Sequence, residues 1–124
     1  MQRRDMELAP KYQSTGASQT MLSNRLSYFF DMEGPSITLD TACSSVLVAV
    51  HLACQSLRTG ESSTAVVGGS NLILSPDIQI KMSDMHFLIP DSILYAFDER
   101  ANGYARGEGV GAVLLKPLDL ALPR

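Results

Sequence analysis

Residues 36–59, with the sequence SITLDTACSSVLVAVHLACQSLRT, decide the fold of this chain. Ile37 and Leu39 alternate with polar residues, which is the period of a half-buried strand. Small residues then open a segment in which Leu, Val and Ala occupy almost every face, and Gly60 supplies a C-cap. The pattern predicts a strand over 37–42 followed by a helix, and a helix that is apolar nearly all round is expected to be buried.

Outward from this unit, helix and strand patterns alternate. Apolar spacing predicts a helix over about 17–31, and the stretch STAVVGGSN at 63–71 predicts a short strand. Ser75 and the proline after it predict the start of a helix that runs to about Met85. A last strand is predicted in GVGAVLLKPL at 109–118, whereas 1–14 and 87–96 carry no regular pattern. This order indicates an α/β fold in one domain.

The composition excludes several classes of protein. The 124 residues are 45% hydrophobic and carry a net charge of −3, which excludes a disordered chain and gives no basic patch for nucleic acid. The apolar runs are far shorter than the roughly 20 residues that cross a bilayer, and the first twenty residues do not form a secretory signal. We therefore expect no nucleic-acid partner, no membrane segment and a cytoplasmic location.

Two cysteines lie in the predicted helix. Cys43 and Cys54 are separated by about 16 Å along its axis, which is too far for a disulfide. At a strand-to-helix junction, the backbone N–H groups and the helix dipole favour the thiolate of Cys43, and its small neighbours Ala42, Ser44 and Ser45 leave room for a substrate carbonyl. The Cys43 N–H is a candidate donor to an oxyanion. A nucleophile and a buried structural cysteine both fit this spacing, whereas Cys54 fits a core position.

The two histidines give little support to a cysteine–histidine pair. His51 is about 12 Å along the same helix from Cys43 and so cannot reach its sulfur. His86 lies in a loop, where a role as the base of an unrelated thiol enzyme stays open. The spacing of the cysteines and histidines predicts no metal site.

The glycine-rich and charged segment near the end of the chain has a structural interpretation. Gly107 and Gly109 fit a loose dinucleotide pattern, but they lead into a strand instead of a helix, so we expect a close backbone crossing there. The surrounding charges predict a salt-bridge network that fixes the loop; they are Asp98, Glu99, Arg100, Arg106 and Glu108.

Three blocks of sequence together resemble one family. They are NRLSYFFDMEGPSITLDTACSSVLVAVHLACQSLRTGES at 24–62, VVGGSNLILSP at 66–76 and FDERANGYARGEGVGAVLLKPLDLAL at 97–122. This string resembles the β-ketoacyl synthase domain of iterative polyketide synthases, particularly of the reducing fungal type. The resemblance extends over residues 12–122 and identifies the whole chain, 1–124, as a partial domain.

The resemblance implies a fold and a reaction. The fold is thiolase-like, with layers in the order αβαβα, and this chain would be part of its N-terminal half. Cys43 would be the nucleophile that accepts an acyl chain, and decarboxylative Claisen condensation with a malonyl thioester would follow. Neither His51 nor His86 matches a family motif, because the family's two histidines lie in motifs downstream of GYARGEG. No cofactor or metal would be bound directly; an acyl carrier protein would deliver both substrates on phosphopantetheine, and the full-length synthase would be a homodimer.

The sequence departs from the family pattern in two places. Val46 replaces a small polar residue after the cysteine, and Ser92 and Ile93 replace a turn glycine and a basic residue within Leu88 to Leu94. We expect an altered loop if that glycine had positive φ, and we expect the isolated fragment to be inactive. The alternative function is that of a non-catalytic fragment that associates with a ketosynthase through 37–42.

Overall fold

The computed structural model describes residues 10–122, so the first nine residues of the polar lead lie outside it. The elements in chain order are α1 (Gln13–Ala17), α2 (Thr20–Phe29), a 3-10 turn (Ala42–Ser44), α3 (Ser45–Thr59), β1 (Ala65–Asn71), α4 (Asp77–Asp84), β2 (Gly109–Leu115) and α5 (Leu118–Ala121). They divide into two compact units. The described part of the first unit is 10–65 with 114–122, and the second unit is 66–113.

The helices of the first unit are partly those that the sequence predicts. The helix expected over 17–31 is confirmed as α2, and the helix of the central segment is confirmed as α3. Gly60 ends α3 in the left-handed region at φ 75°, with Arg58 in the last turn. The sequence pattern missed α1 and α5, because helices of five and four residues are too short to show a 3.6-residue period.

The strand predicted over 37–42 is wrong. Residues 35–41 contain no regular structure, and within 10–122 their backbone makes no ladder with another strand. The segment is tied by a side chain instead, since Thr38 Oγ1 donates to Ser23 Oγ at 2.8 Å and accepts the Ser23 N–H at 3.2 Å. Alternation shows which side chains share a face, but a strand also requires a neighbouring backbone.

The expectation that α3 is buried is also wrong for the described residues. Val46 and Leu47 are 50% and 74% exposed, and no residue of α3 is buried. Val48 to Val50 and Leu52 to Cys54 are half-buried. The short elements of this unit therefore leave much of the apolar surface of α3 uncovered.

The second unit contains most of the two predicted strands and a short helix. Residues of β1 and β2 form a two-stranded sheet, and the helix predicted from Ser75 is confirmed as α4. Ser75 lies one residue before Pro76, which occupies the N-cap of α4. Its Oγ accepts the Asp77 N–H at 3.2 Å. Within 10–122 the buried apolar side chains are Val67 and Ile89, each 5% exposed.

Gly103 makes a close approach of two backbone segments possible. Leu88 and Tyr104 form a parallel bridge, in which the Ile89 N–H donates to Tyr104 O at 3.2 Å and the Tyr104 N–H donates to Phe87 O at 3.0 Å. A Cβ atom at Gly103 would lie 2.8 Å from Ile89 N and from Phe87 O, and φ at Gly103 is 150°. This position therefore requires glycine.

None of the helices in 10–122 combines the length and the apolarity that a membrane crossing requires.

Candidate functional site

Cys43 lies in the 3-10 turn that immediately precedes α3, and its side chain is exposed. The residue before it, Ala42, has φ 57°, a left-handed conformation that is uncommon for a residue with a Cβ atom. We call residues 40–45 the cysteine turn. The predicted strand-to-helix junction is therefore an irregular segment followed by a 3-10 turn and α3, with the cysteine in the turn.

Side-chain oxygens satisfy the backbone groups of the cysteine turn. Asp40 Oδ1 accepts the Ala42 N–H at 2.8 Å, and Ser45 Oγ accepts the Thr41 N–H at 2.8 Å. The Ser45 hydroxyl also donates to the Ala42 carbonyl at 2.7 Å and lies 3.5 Å from Asp40 Oδ1. The Ser44 hydroxyl donates to the Thr41 carbonyl at 2.8 Å. The turn is thus closed by its own side chains, within six residues.

Ser44 and Ser45 therefore do more than leave space beside the cysteine. Both hydroxyls are directed back into the turn, where they bind the backbone of Thr41 and Ala42. Within the described residues, no group accepts a hydrogen bond from the Cys43 N–H. That N–H is the donor which the sequence analysis assigns to an oxyanion, and its exposed position is compatible with that role.

The other cysteine and the histidines occupy different environments. Cys54 is half-buried in α3, less covered than the predicted core position requires, and His51 is exposed on the same helix. His86 follows α4 in the second unit, with φ 57° and its N–H donated to Ser83 O at 2.9 Å. The cysteine turn itself contains no histidine. Across residues 10–122 no three side chains of the metal-binding types come together.

The charged segment of the second unit forms a smaller network than the sequence predicts. Arg100 pairs with Asp98 through two nitrogens at 2.9 and 3.0 Å, and its guanidinium lies 4.2 Å from the centre of the Tyr95 ring. The hydrogen bond from the Arg100 side chain, followed by the one from its backbone N–H, lowers the pKa of Asp98. Tyr95 donates to Asp91 at 3.0 Å, and that hydrogen bond raises the pKa of the Tyr95 phenol.

Arg106 and Glu108 do not belong to this network. Glu108 accepts the Ile73 N–H, while Arg106 lines a cleft of about 170 Å³ with Asn71 and Gln79. Arg106 Nε and Gln79 Oε1 have no hydrogen-bond partner within the described chain. No sequence pattern indicates this cleft, because its lining combines Arg106 with a segment about 30 residues earlier in the chain, 71–79.

The close backbone crossing predicted at Gly107 and Gly109 is wrong. A Cβ atom at either position would have no described atom within 4 Å. The crossing occurs at Gly103 instead, where the Leu88–Tyr104 bridge brings two backbone segments together.

Comparison with known proteins gives one consistent result. The profile described as Beta-ketoacyl synthase, N-terminal domain, matches residues 1–121. Compactin diketide synthase of Penicillium citrinum is 61% identical over 119 residues, which cover 96% of this chain and 5% of that protein. Lovastatin diketide synthase of Monascus pilosus is 56% identical over 119 residues, which again cover 96% of this chain and 5% of that protein.

The solved structures agree with these relatives. A point mutant of the ketosynthase from module 6 of the bacillaene synthase of Bacillus subtilis superposes with a TM-score of 0.84 at 45% identity. That alignment covers 86% of this chain and 19% of the bacterial one. This chain therefore spans about one twentieth of the curated synthases that it matches and about a fifth of a solved ketosynthase chain.

Proposed function

Because this chain belongs to the β-ketoacyl synthase family, we propose that it forms the cysteine-bearing part of a ketosynthase in a polyketide synthase. The fold is the thiolase-like one that the resemblance implies, present in part. The observation that carries the proposal is the exposed Cys43 in a left-handed turn at the start of α3, in a chain 61% identical to compactin diketide synthase.

The proposed reaction has two steps. The Cys43 sulfur attacks the carbonyl carbon of an acyl thioester, a new carbon–sulfur bond forms, and the carrier thiolate leaves and takes a proton. A malonyl thioester then loses carbon dioxide, and the electron pair left on its α-carbon attacks the Cys43-bound acyl carbonyl. The Cys43 sulfur departs, and the β-ketoacyl chain remains on the carrier. The Cys43 N–H stabilises the oxyanion that forms in each attack on the acyl carbonyl.

The partners follow from the same proposal. An acyl carrier protein domain delivers the acyl and malonyl groups on phosphopantetheine, and two copies of the full-length synthase associate as a homodimer. We place the protein in the cytoplasm, where a catalytic thiol stays reduced; Cys43 and Cys54 are both free thiols. A fragment that only associates with a ketosynthase is not favoured, because the chain keeps both the family cysteine and the hydrogen bonds of its turn.

The decisive experiment is acylation of a complete ketosynthase domain that carries this segment. With a thioester substrate, mass spectrometry should find the acyl group on Cys43. Cys43→Ala should abolish acylation and condensation, whereas Cys54→Ala should retain both within about twofold because Cys54 is remote from the reacting atoms. Acylation that survives in Cys43→Ala would disprove the assignment.

Alkylation by iodoacetamide gives a second test of the same assignment. In the native domain at neutral pH, we expect Cys43 to be alkylated well before Cys54, because Cys43 is exposed and Cys54 is half-buried. Equal rates at the two thiols would contradict the prediction.

We also propose that the 124 residues alone do not fold cooperatively or condense thioesters. Val46 and Leu47 of α3 are exposed, as are Val110 and Leu114 of β2, and such a surface favours association. Size-exclusion chromatography should find aggregates, and thermal unfolding should be broad. A monomer with a sharp transition, or carbon dioxide release that Cys43→Ala abolishes, would overturn this expectation.

A further inference from the structure

We infer that Ser45 and Asp40 are positioning residues that fix the two peptide groups flanking Ala42 and thereby aim the Cys43 N–H at the reacting carbonyl. This inference rests on the proposed function of Cys43.

The backbone before the cysteine requires such support. Ala42 has φ 57°, and a residue with a Cβ atom adopts this conformation only when its surroundings hold it there. Without the side-chain contacts, the Ser45 backbone N–H, which donates to the Ala42 carbonyl, would be left to hold the peptide between Ala42 and Cys43. The direction of the Cys43 N–H would then be less firmly fixed.

Ser45 acts on the peptide group that contains this N–H. The carbonyl of Ala42 and the N–H of Cys43 belong to the same planar, trans peptide, so they point in opposite directions. The Ser45 hydroxyl donates to that carbonyl at 2.7 Å while its oxygen accepts the Thr41 N–H at 2.8 Å. With the carbonyl held against the start of α3, the Cys43 N–H is directed to the opposite side, where no described group accepts it.

Asp40 acts on the peptide on the other side of Ala42. Its Oδ1 accepts the Ala42 N–H at 2.8 Å, so the orientation of the Thr41–Ala42 peptide is fixed as well. The two contacts together determine both peptide planes around Ala42. An asparagine has the same Oδ1 acceptor without the charge, and a threonine has the same hydroxyl as serine.

The test compares two reactions of Cys43 within one complete ketosynthase domain. Acyl transfer from a thioester builds negative charge on a carbonyl oxygen and needs the Cys43 N–H, whereas alkylation by iodoacetamide displaces iodide and forms no oxyanion. For Ser45→Ala we expect the maximal rate of acyl transfer to fall about 10- to 100-fold with little change in KM, because loss of an oxyanion donor costs about 100- to 1000-fold. Alkylation of Cys43 should change less than about threefold, as expected for a variant whose thiol remains accessible.

Conservative variants separate positioning from folding. Ser45→Thr should restore the rate of acyl transfer. The rate should be higher in Asp40→Asn than in Asp40→Ala, because only the asparagine keeps the acceptor for the Ala42 N–H. The matched control is Ser56→Ala, which removes a hydroxyl from the same helix, one that donates to Ser62 Oγ at 2.9 Å far from the cysteine turn. It should leave both reactions unchanged.

Each outcome has a defined meaning. Equal losses in acylation and alkylation for Ser45→Ala, or no loss in acylation, would overturn the inference. If Ser45→Ala does not fold, the comparison of Asp40→Asn with Asp40→Ala decides, and equal rates in that pair would overturn it. A wild-type domain in which Cys43 is never acylated would instead refute the proposed function.

Discussion

Two turns of this molecule begin alike and are completed differently. In the cysteine turn, Asp40 accepts the Ala42 N–H at 2.8 Å, and in the turn at 91–93, Asp91 accepts the Ile93 N–H at 3.1 Å. Each turn contains a residue other than glycine with φ near 60°, Ala42 in the first and Ser92 in the second. Both therefore use an aspartate to support an unfavourable backbone conformation.

The second set of contacts distinguishes the two turns. An uncharged hydroxyl completes the cysteine turn, because Ser45 binds the Ala42 carbonyl. In the other turn, Tyr95 donates to Asp91. The Arg100 guanidinium lies over the Tyr95 ring and pairs with Asp98 on the surface. Exposed ion pairs contribute little and are screened by salt. The two turns therefore begin with the same aspartate contact and differ in what completes it, a serine hydroxyl in the cysteine turn and a tyrosine beside an exposed ion pair at 91–93.

The largest expected effect comes from Gly103, which supports the charged region of the second unit. Gly103→Ala would place a Cβ atom 2.8 Å from Phe87 O and from Ile89 N. We expect at least about 2 kcal/mol of destabilisation, from backbone strain and overpacking together. Denaturant unfolding of a complete ketosynthase domain measures the free energy.

The matched control for Gly103→Ala is Gly107→Ala. Its Cβ atom would have no described atom within 4 Å, and its φ is not positive, so the change should cost less than about 1 kcal/mol. Equal losses at the two glycines would show that the Leu88–Tyr104 bridge does not hold the region together.

A smaller effect on stability is expected at Ser92, which has the same left-handed conformation in its turn as Ala42 has in the cysteine turn. Ser92→Gly should stabilise the domain by about 0.5 to 1 kcal/mol, because glycine adopts φ 59° without a steric penalty. Ser92→Ala is the control and should give no gain, since it keeps the Cβ atom. A gain of equal size in Ser92→Ala would mean that the hydroxyl, and not the backbone conformation, determines the effect.

The smallest effect is the pH dependence of the charged region. The pKa of Asp98 lies below its ordinary value of 3.8, since Arg100 stabilises the carboxylate. The contribution of this pair to stability is therefore fully present above pH 3.8 and is lost as the pH falls through the lower folded pKa. An NMR titration of the Asp98 side-chain carbonyl carbon measures it, with Arg100→Gln as the control. A midpoint at or above 3.8 in the wild-type domain would contradict the ion pair.

Sequence analysis predicts the longer elements well because their signals are local. The spacing of Leu22, Leu26 and Phe29 and the glycine after α3 place α2 and α3 correctly, and the run at 63–71 places β1. The strand over 37–42 fails because alternation carries no information about a backbone partner. The buried α3 fails because composition predicts which side chains avoid water and not which elements cover them.

The sequence indicates which residue to propose for the candidate site, but it does not indicate the geometry around that residue. Cys43 is proposed from the resemblance, and its exposed position just before α3 is compatible with that proposal. The left-handed Ala42 gives no sequence signal, because alanine rarely adopts that conformation. The Asp40 and Ser45 contacts were also missed, although an aspartate two residues before a turn and a serine at a helix start are known signals for such bonds.

The pairing of β1 with β2 has a consequence for how the protein is made. β1 ends at Asn71 and β2 begins at Gly109, so 37 residues separate the two partners in the nascent chain. At roughly 5–20 residues per second these residues take about 2–7 seconds to translate, far longer than the microseconds of an ordinary hairpin. β1 therefore emerges from the ribosome seconds before β2, and Val66 and Val67 are without their partner strand in that interval. The delay between the emergence of the two strands sets how long each new chain is exposed to misassembly.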